Sequence, residues 1–158
     1  MPRALSKCTY LDVLDIGNNQ IVDIFPSWLG SLSNLRILVS RSNQFYGALD
    51  DPFRRGKSQE HFSRLQIIDI ASNNFSGDLN PQWFKMLESM MENINNTGQI
   101  IGHYGYSYYY QDTVALTVKG QYITFERILT ALTAIDLSNN KLDGTIPGMA
   151  GNLVHYIY

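Results

Sequence analysis

The chain has 158 residues, 44% of them hydrophobic and 16% charged, with a net charge of −2 and a single cysteine. It is too apolar and too weakly charged for a disordered tail, lacks the basic excess of a nucleic-acid binder, and with one cysteine excludes an internal disulfide. Its length can bury one core, and it holds no run of 18 or more apolar residues able to cross a bilayer.

The first eight residues, Met1-Pro2-Arg3-Ala4-Leu5-Ser6-Lys7-Cys8, read as the closing phrase of a repeat. Leu5 and Cys8 are expected to point inward, with Cys8 a small buried hydrophobe. Four copies of one pattern follow: LDVLDIGNNQI from Leu11, LRILVSRSNQF from Leu35, LQIIDIASNNF from Leu65 and LTAIDLSNNKL from Leu132. In each copy an apolar residue is followed by two free positions, a second apolar residue, one free position, a third, then an Asn and one more apolar residue. An internal repeat of this kind decides the architecture. Strand alternation sends Leu14 and Ile16 to the core and leaves Val13, Asp15 and Gly17 on the other face. Asn19, Asn43, Asn73 and Asn140 stand where the chain leaves each strand, and an amide buried there can satisfy backbone groups of its own and the neighbouring coil. Ser40 breaks the pattern, because a third inward apolar residue is expected there.

A second phrase follows each Asn. Leu142-Asp143-Gly144-Thr145-Ile146-Pro147 reads LxGxIP, Phe75-Ser76-Gly77-Asp78-Leu79 nearly repeats it, Phe45-Tyr46-Gly47-Ala48-Leu49 repeats it again, and Asp23 takes the Gly place in the first copy. Together these phrases resemble the plant-specific leucine-rich repeat, and wording such as LDIGNNQI and LQIIDIASNNFSGDL resembles the extracellular part of plant receptor-like proteins. The resemblance implies an α/β-type leucine-rich-repeat solenoid of short parallel strands with few helical turns and a second short strand on the convex side. Asn80, where the family prefers Pro, is expected to weaken the array locally.

Spacing exposes what does not repeat. Leu11 and Leu35 lie 24 residues apart, Leu35 and Leu65 lie 30, and the excess falls in a polar loop at 50–63 containing Arg54, Arg55 and Lys57. Leu65 and Leu132 lie 67 apart, so one period of 24 leaves 43 residues outside the array. This insertion carries Tyr104, Tyr106, Tyr108, Tyr109 and Tyr110. Val114, Leu116 and Val118 then alternate as in a strand, and 119–121 offers a turn into a hairpin partner at 122–125. It resembles the "island" of plant receptors. The expected organisation is repeats at 1–87, the island at 88–131, and repeats again at 132–158. Because the chain starts inside one repeat and stops inside another, we expect a fragment or a truncated gene product.

Candidate contact residues follow. The tyrosine cluster (Tyr104, Tyr106, Tyr108, Tyr109, Tyr110) offers rigid amphipathic area for recognition, or equally packs the island onto the array. On the concave strand face Arg41 is a candidate contact. Asp15, Asp69 and Asp136 form an equivalent column that suits a cation or basic peptide, or else bonds along the strand edge. The sequons Asn74-Phe75-Ser76 and Asn95-Asn96-Thr97 are candidate N-glycosylation sites. His103 has no accompanying ligand pattern, and neither a catalytic motif, a metal site nor a cofactor is expected. The resemblance implies a non-catalytic recognition module at the extracellular side of the plasma membrane, in defence or developmental signalling. It would bind a peptide, protein or glycan elicitor and meet a coreceptor kinase through its parent receptor, without nucleic acid and without inserting into the membrane itself. A secreted leucine-rich inhibitor of microbial cell-wall hydrolases, or a non-functional gene product, is the alternative.

Overall fold

The structure is a computed structural model that describes residues 1–49, 61–91, 109–110, 114–118, 121–125, 128–129 and 133–153. The basic loop at 50–60 and Asn95, His103, Tyr104, Tyr106 and Tyr108 lie outside the described residues.

In chain order the strands are β1 (Val13–Asp15), β2 (Ile37–Val39), β3 (Tyr46–Gly47), β4 (Ile67–Asp69), β5 (Asn74–Asp78), β6 (Tyr109–Tyr110), β7 (Val114–Val118), β8 (Gln121–Phe125), β9 (Ile128–Leu129), β10 (Ala134–Asp136) and β11 (Lys141–Asp143). One strand from each of the four repeats builds a parallel front sheet in the order β1-β2-β4-β10. Its register follows the repeat without offset: Val13, Ile37, Ile67 and Ala134 are neighbours, as are Asp15, Val39, Asp69 and Asp136. Leu14, Leu38, Ile68 and Ile135 therefore stack one above another on the core side.

After each front strand the chain turns through a left-handed residue, Asn18, Ser42, Ser72 and Asn139, with φ between 52° and 55°. Such a conformation is uncommon outside glycine, and here the following Asn holds it. Asn73 Nδ2 donates to the carbonyls of Ser40, Ile70 and Ala71, each at 3.1 Å, while its Oδ1 accepts from Phe45 N–H at 3.0 Å. Asn43 makes the same set one coil earlier, and Asn140 one coil later. Backbone groups of two adjacent coils are thus satisfied by one amide. Asn19 is exposed and donates only to Ile16 and Gly17 of its own coil.

The second phrase forms a rear sheet in the order β11-β5-β3. Gly47, Gly77 and Gly144 sit at φ of 78–83°, a conformation that L side chains rarely adopt, which accounts for the glycine of the phrase. Rear pairing is out of step with the repeat. Tyr46 pairs with Asn74 and Lys141 with Ser76, and the Ile24–Tyr46 bridge continues the offset. By repeat position Tyr46 corresponds to Ser76, so every step slips by two residues.

Short helical turns complete the coils; among the described residues these are 3-10 turns at Arg3–Lys7, Ser27–Ser31, Glu88–Met90 and Gly148–Asn152, and one α-helix, Pro81–Met86. Asn80, expected to weaken the array, instead caps that helix. Its Oδ1 accepts from Gln82 N–H at 2.8 Å and Pro81 fills the first helical position, an arrangement worth about 1 kcal/mol. Cys8, expected to be buried, is exposed. It closes the Arg3–Lys7 turn through its N–H to Leu5, and Leu5 alone of the two packs against the core.

Aromatic rings join the coils internally. Phe45 and Phe75 stack at 6.1 Å with 13° between planes, and Phe25 meets Phe75 edge-on at 6.2 Å and Trp83 edge-on at 6.4 Å. Of the insertion, β7 and β8 form an antiparallel hairpin in which Val118 pairs with Gln121, and β6 pairs antiparallel with β9. The insertion does not split the array. Strand β4 pairs directly with β10, the Pro81–Met86 helix packs against the Gly148–Asn152 turn, and Met91 bridges Leu153.

Candidate functional site

The front sheet turns one face to the core and lays the other out in rows, one residue per coil. The outer row Val13, Ile37, Ile67 and Ala134 is apolar, and Ile37 and Ile67 in it are fully buried. Val39, in the second row, is buried too, although it lies on the face opposite the core cluster.

The second row carries the three aspartates, and they differ. Asp15 is exposed, Asp136 half-buried, and Asp69 has no exposed surface. All three make the same local bond, an Oδ1 accepting from the N–H two residues on: Gly17 at 2.8 Å, Ala71 at 3.1 Å and Ser138 at 3.0 Å. A carboxylate in this turn fixes the end of its strand. Asp69 also receives Arg41 Nη1 on Oδ2 at 3.0 Å, across one coil. Gly17 makes room for the Arg41 stem, because a Cβ there would lie 3.2 Å from Arg41 Cγ. Asp136 Oδ2 is shielded from solvent and has no hydrogen-bond partner among the described residues.

Arg41 and Asp69 are therefore partners of each other, with little of either side chain accessible. Of the column, Asp15 is open to solvent and Asp136 partly so. The Arg41–Asp69 pairing joins residues 28 apart, and the signal for it lies in the opposite charges at neighbouring outward positions of successive coils. Tyr109 and Tyr110 form β6 opposite Leu129 and Ile128. Asn74 opens β5, half-buried, beside the buried Asn73.

Burial pushes the Asp69 carboxyl up from 3.8 to about 6; the Ala71 N–H and the Arg41 charge oppose the shift, and the neighbouring Asp136 adds to it. A carboxyl that holds its proton more tightly folded than unfolded makes the folded state less stable as pH rises through that interval. We expect the Asp69 contribution to unfolding free energy to fall by roughly 2 kcal/mol between pH 4 and pH 6.5 and to stay flat above. Urea titrations of the wild type and Asp69→Asn across that range isolate it. A stability difference between the two that does not change with pH would contradict the burial argument.

A leucine-rich-repeat family model matches residues 10–32, 64–87 and 131–153. The chain is 39% identical over 151 residues to Receptor like protein 27 of Arabidopsis thaliana, covering 94% of this chain and 18% of that one. It is 40% identical over 154 residues to Receptor-like protein 35 of the same plant, covering 97% and 16%. The chain thus spans less than a fifth of the length of these relatives. Among solved structures, the BIR3–SERK2 complex of Arabidopsis thaliana matches with a TM-score of 0.53 over 94% of this chain and 54% of that one, at 18% identity, a likeness of fold.

Proposed function

The chain belongs to the plant leucine-rich-repeat receptor-like proteins, and on that premise we propose that it is a non-catalytic recognition segment of such a receptor. The relation to receptor-like proteins over nearly the whole chain carries this reading. The front sheet's register without offset sets one outward side chain per coil in rows. Of these, Asp15 and, in part, Val13, Ala134 and Asp136 are accessible to a polypeptide partner, while Ile37, Val39, Ile67 and Asp69 are covered. No helix among the described residues is long and apolar enough to cross a membrane.

In this proposal the repeats occupy 1–87 and 132–158, the island occupies 88–131, and the segment stands at the extracellular side of the plasma membrane within its parent. The partner is a peptide, protein or glycan, with a coreceptor kinase joining through the parent receptor. Contacts come from the tyrosines of 104–110, with Asp15 and Asp136 on the outward row. N-glycans sit at Asn74 and Asn95.

The test presents the full chain on beads to plant extracellular fluid, beside Tyr108→Ala and Tyr110→Ala variants. We expect each substitution to weaken specific capture by about tenfold or more while the melting temperature stays within about 2 °C. Equal capture by the variants would remove the tyrosines from the contact. The absence of any saturable capture by the wild type would remove the recognition reading.

A further inference from the structure

Asn73 and Asn74 are adjacent in sequence and opposite in circumstance. The Asn73 amide is buried and fully engaged with two coils. The Asn74 amide has no hydrogen-bond partner among the described residues, so its Nδ2 is available in the folded chain. Alternation along β5 places Phe75 in the core and turns Asn74 and Ser76, the first and third residues of the sequon, to the outer side. Directly opposite Asn74 in the register stands Tyr46, itself 49% exposed. Cross-strand partners carry their side chains on the same face, with Cβ atoms about 5 Å apart. The two-residue slip of the rear sheet creates this neighbourhood, because without it Tyr46 would face Ser76.

We propose that Tyr46 is the platform on which the first sugar of an Asn74-linked glycan rests. The inference depends on Asn74 being glycosylated, as proposed above. In the covalent step a lipid-linked oligosaccharide diphosphate is the donor. Sugar C1 bonds to Asn74 Nδ2, the lipid diphosphate leaves, and the amide gives up one proton. The attached ring then lies along the rear sheet within reach of the phenol, whose face takes up the axial C–H groups of a pyranose. That contact covers an aromatic ring left exposed on the rear sheet. Tyr46 acts as a positioning residue, with Asn74 the modified one.

The test secretes the full chain from a eukaryotic host behind a cleavable leader, trims glycans to single N-acetylglucosamines, and compares wild type with Tyr46→Phe and Tyr46→Val. Mass analysis reports occupancy at Asn74. Proton NMR reports the N-acetyl methyl group, which an aromatic face shifts upfield. We expect occupancy in all three chains, an upfield methyl in wild type and Tyr46→Phe, and its loss in Tyr46→Val. Complete removal of the sugar should lower the melting temperature of the wild type by about 2–4 °C and leave Tyr46→Val nearly unchanged. An occupied Asn74 with a methyl indifferent to residue 46 overturns the platform while leaving the glycan. An empty Asn74 in every chain overturns both.

Discussion

Replacing Asn73 with Ala should destabilise the chain by about 4 kcal/mol and lower its melting temperature by on the order of 10 °C. The magnitude comes from the number of backbone groups that one amide serves. Three carbonyls lose a donor and the Phe45 N–H loses its acceptor, all in a position only 7% exposed, where water cannot easily substitute. Only the Phe45 N–H is left unpaired, at about 1–3 kcal/mol, because Ser40 O keeps Asn43, Ile70 O keeps Asn140 and Ala71 O keeps the Ser42 N–H. Each bond lost at those carbonyls adds about 0.5–1 kcal/mol. The loss also acts between coils, because Ser40 and Phe45 belong to the coil before Asn73. Asn19→Ala is the control. Its amide is exposed and serves only its own coil, so a loss of about 0.5 kcal/mol or less is expected. Urea unfolding of both variants measures the contrast, and equal losses at the two positions would show that the inter-coil bonds carry little of the stability.

Phe75→Ala should cost about 3–5 kcal/mol. The ring is fully buried, stacks on Phe45 of the preceding coil and takes the edge of Phe25, so its removal opens a cavity between successive coils. The rear strand carrying it is pinned by the Asn140 amide at the Phe75 N–H, which limits how far the backbone can collapse into the space. Phe75→Leu keeps most of the volume and should cost about 1–2 kcal/mol. Thermal unfolding of the two variants decides the matter. A loss from Ala no greater than that from Leu would mean that the coils close around the void and the aromatic stack is incidental.

Much of this architecture was legible in the sequence because the repeat is written in side-chain chemistry. Periodic Leu, Ile and Phe marked the core positions, Asn marked the exits, and Gly47, Gly77 and Gly144 marked the backbone that only glycine adopts easily. The hairpin of β7 and β8 was legible from alternation around a short turn. What escaped sequence reading depends on neighbours that periodicity does not name. Cys8 was assigned by its place in the phrase, but its side chain lies outside because Leu5 takes the inward position of that turn. Asn80 was judged against the Pro of the family phrase, whereas a helix begins after it and an amide is the better cap. Asp15, Asp69 and Asp136 share one repeat position yet differ from exposed to fully buried, since burial on the outward face is set by contacts the repeat does not encode. The Arg41–Asp69 pair belongs to that same class.

The unequal registers of the two sheets have a mechanical meaning. Front strands stack squarely about 4.8 Å apart, while the rear slips by two residues, roughly 6.6 Å, at each coil. Coils joined this way cannot pile into a straight column; they advance as the treads of a spiral stair advance, pivoting about the inner rail. Each tread added between two others would change the compass bearing from one to the next. In any longer array built this way the number of coils would set the direction in which its two ends face, so that excising a single coil would misalign them.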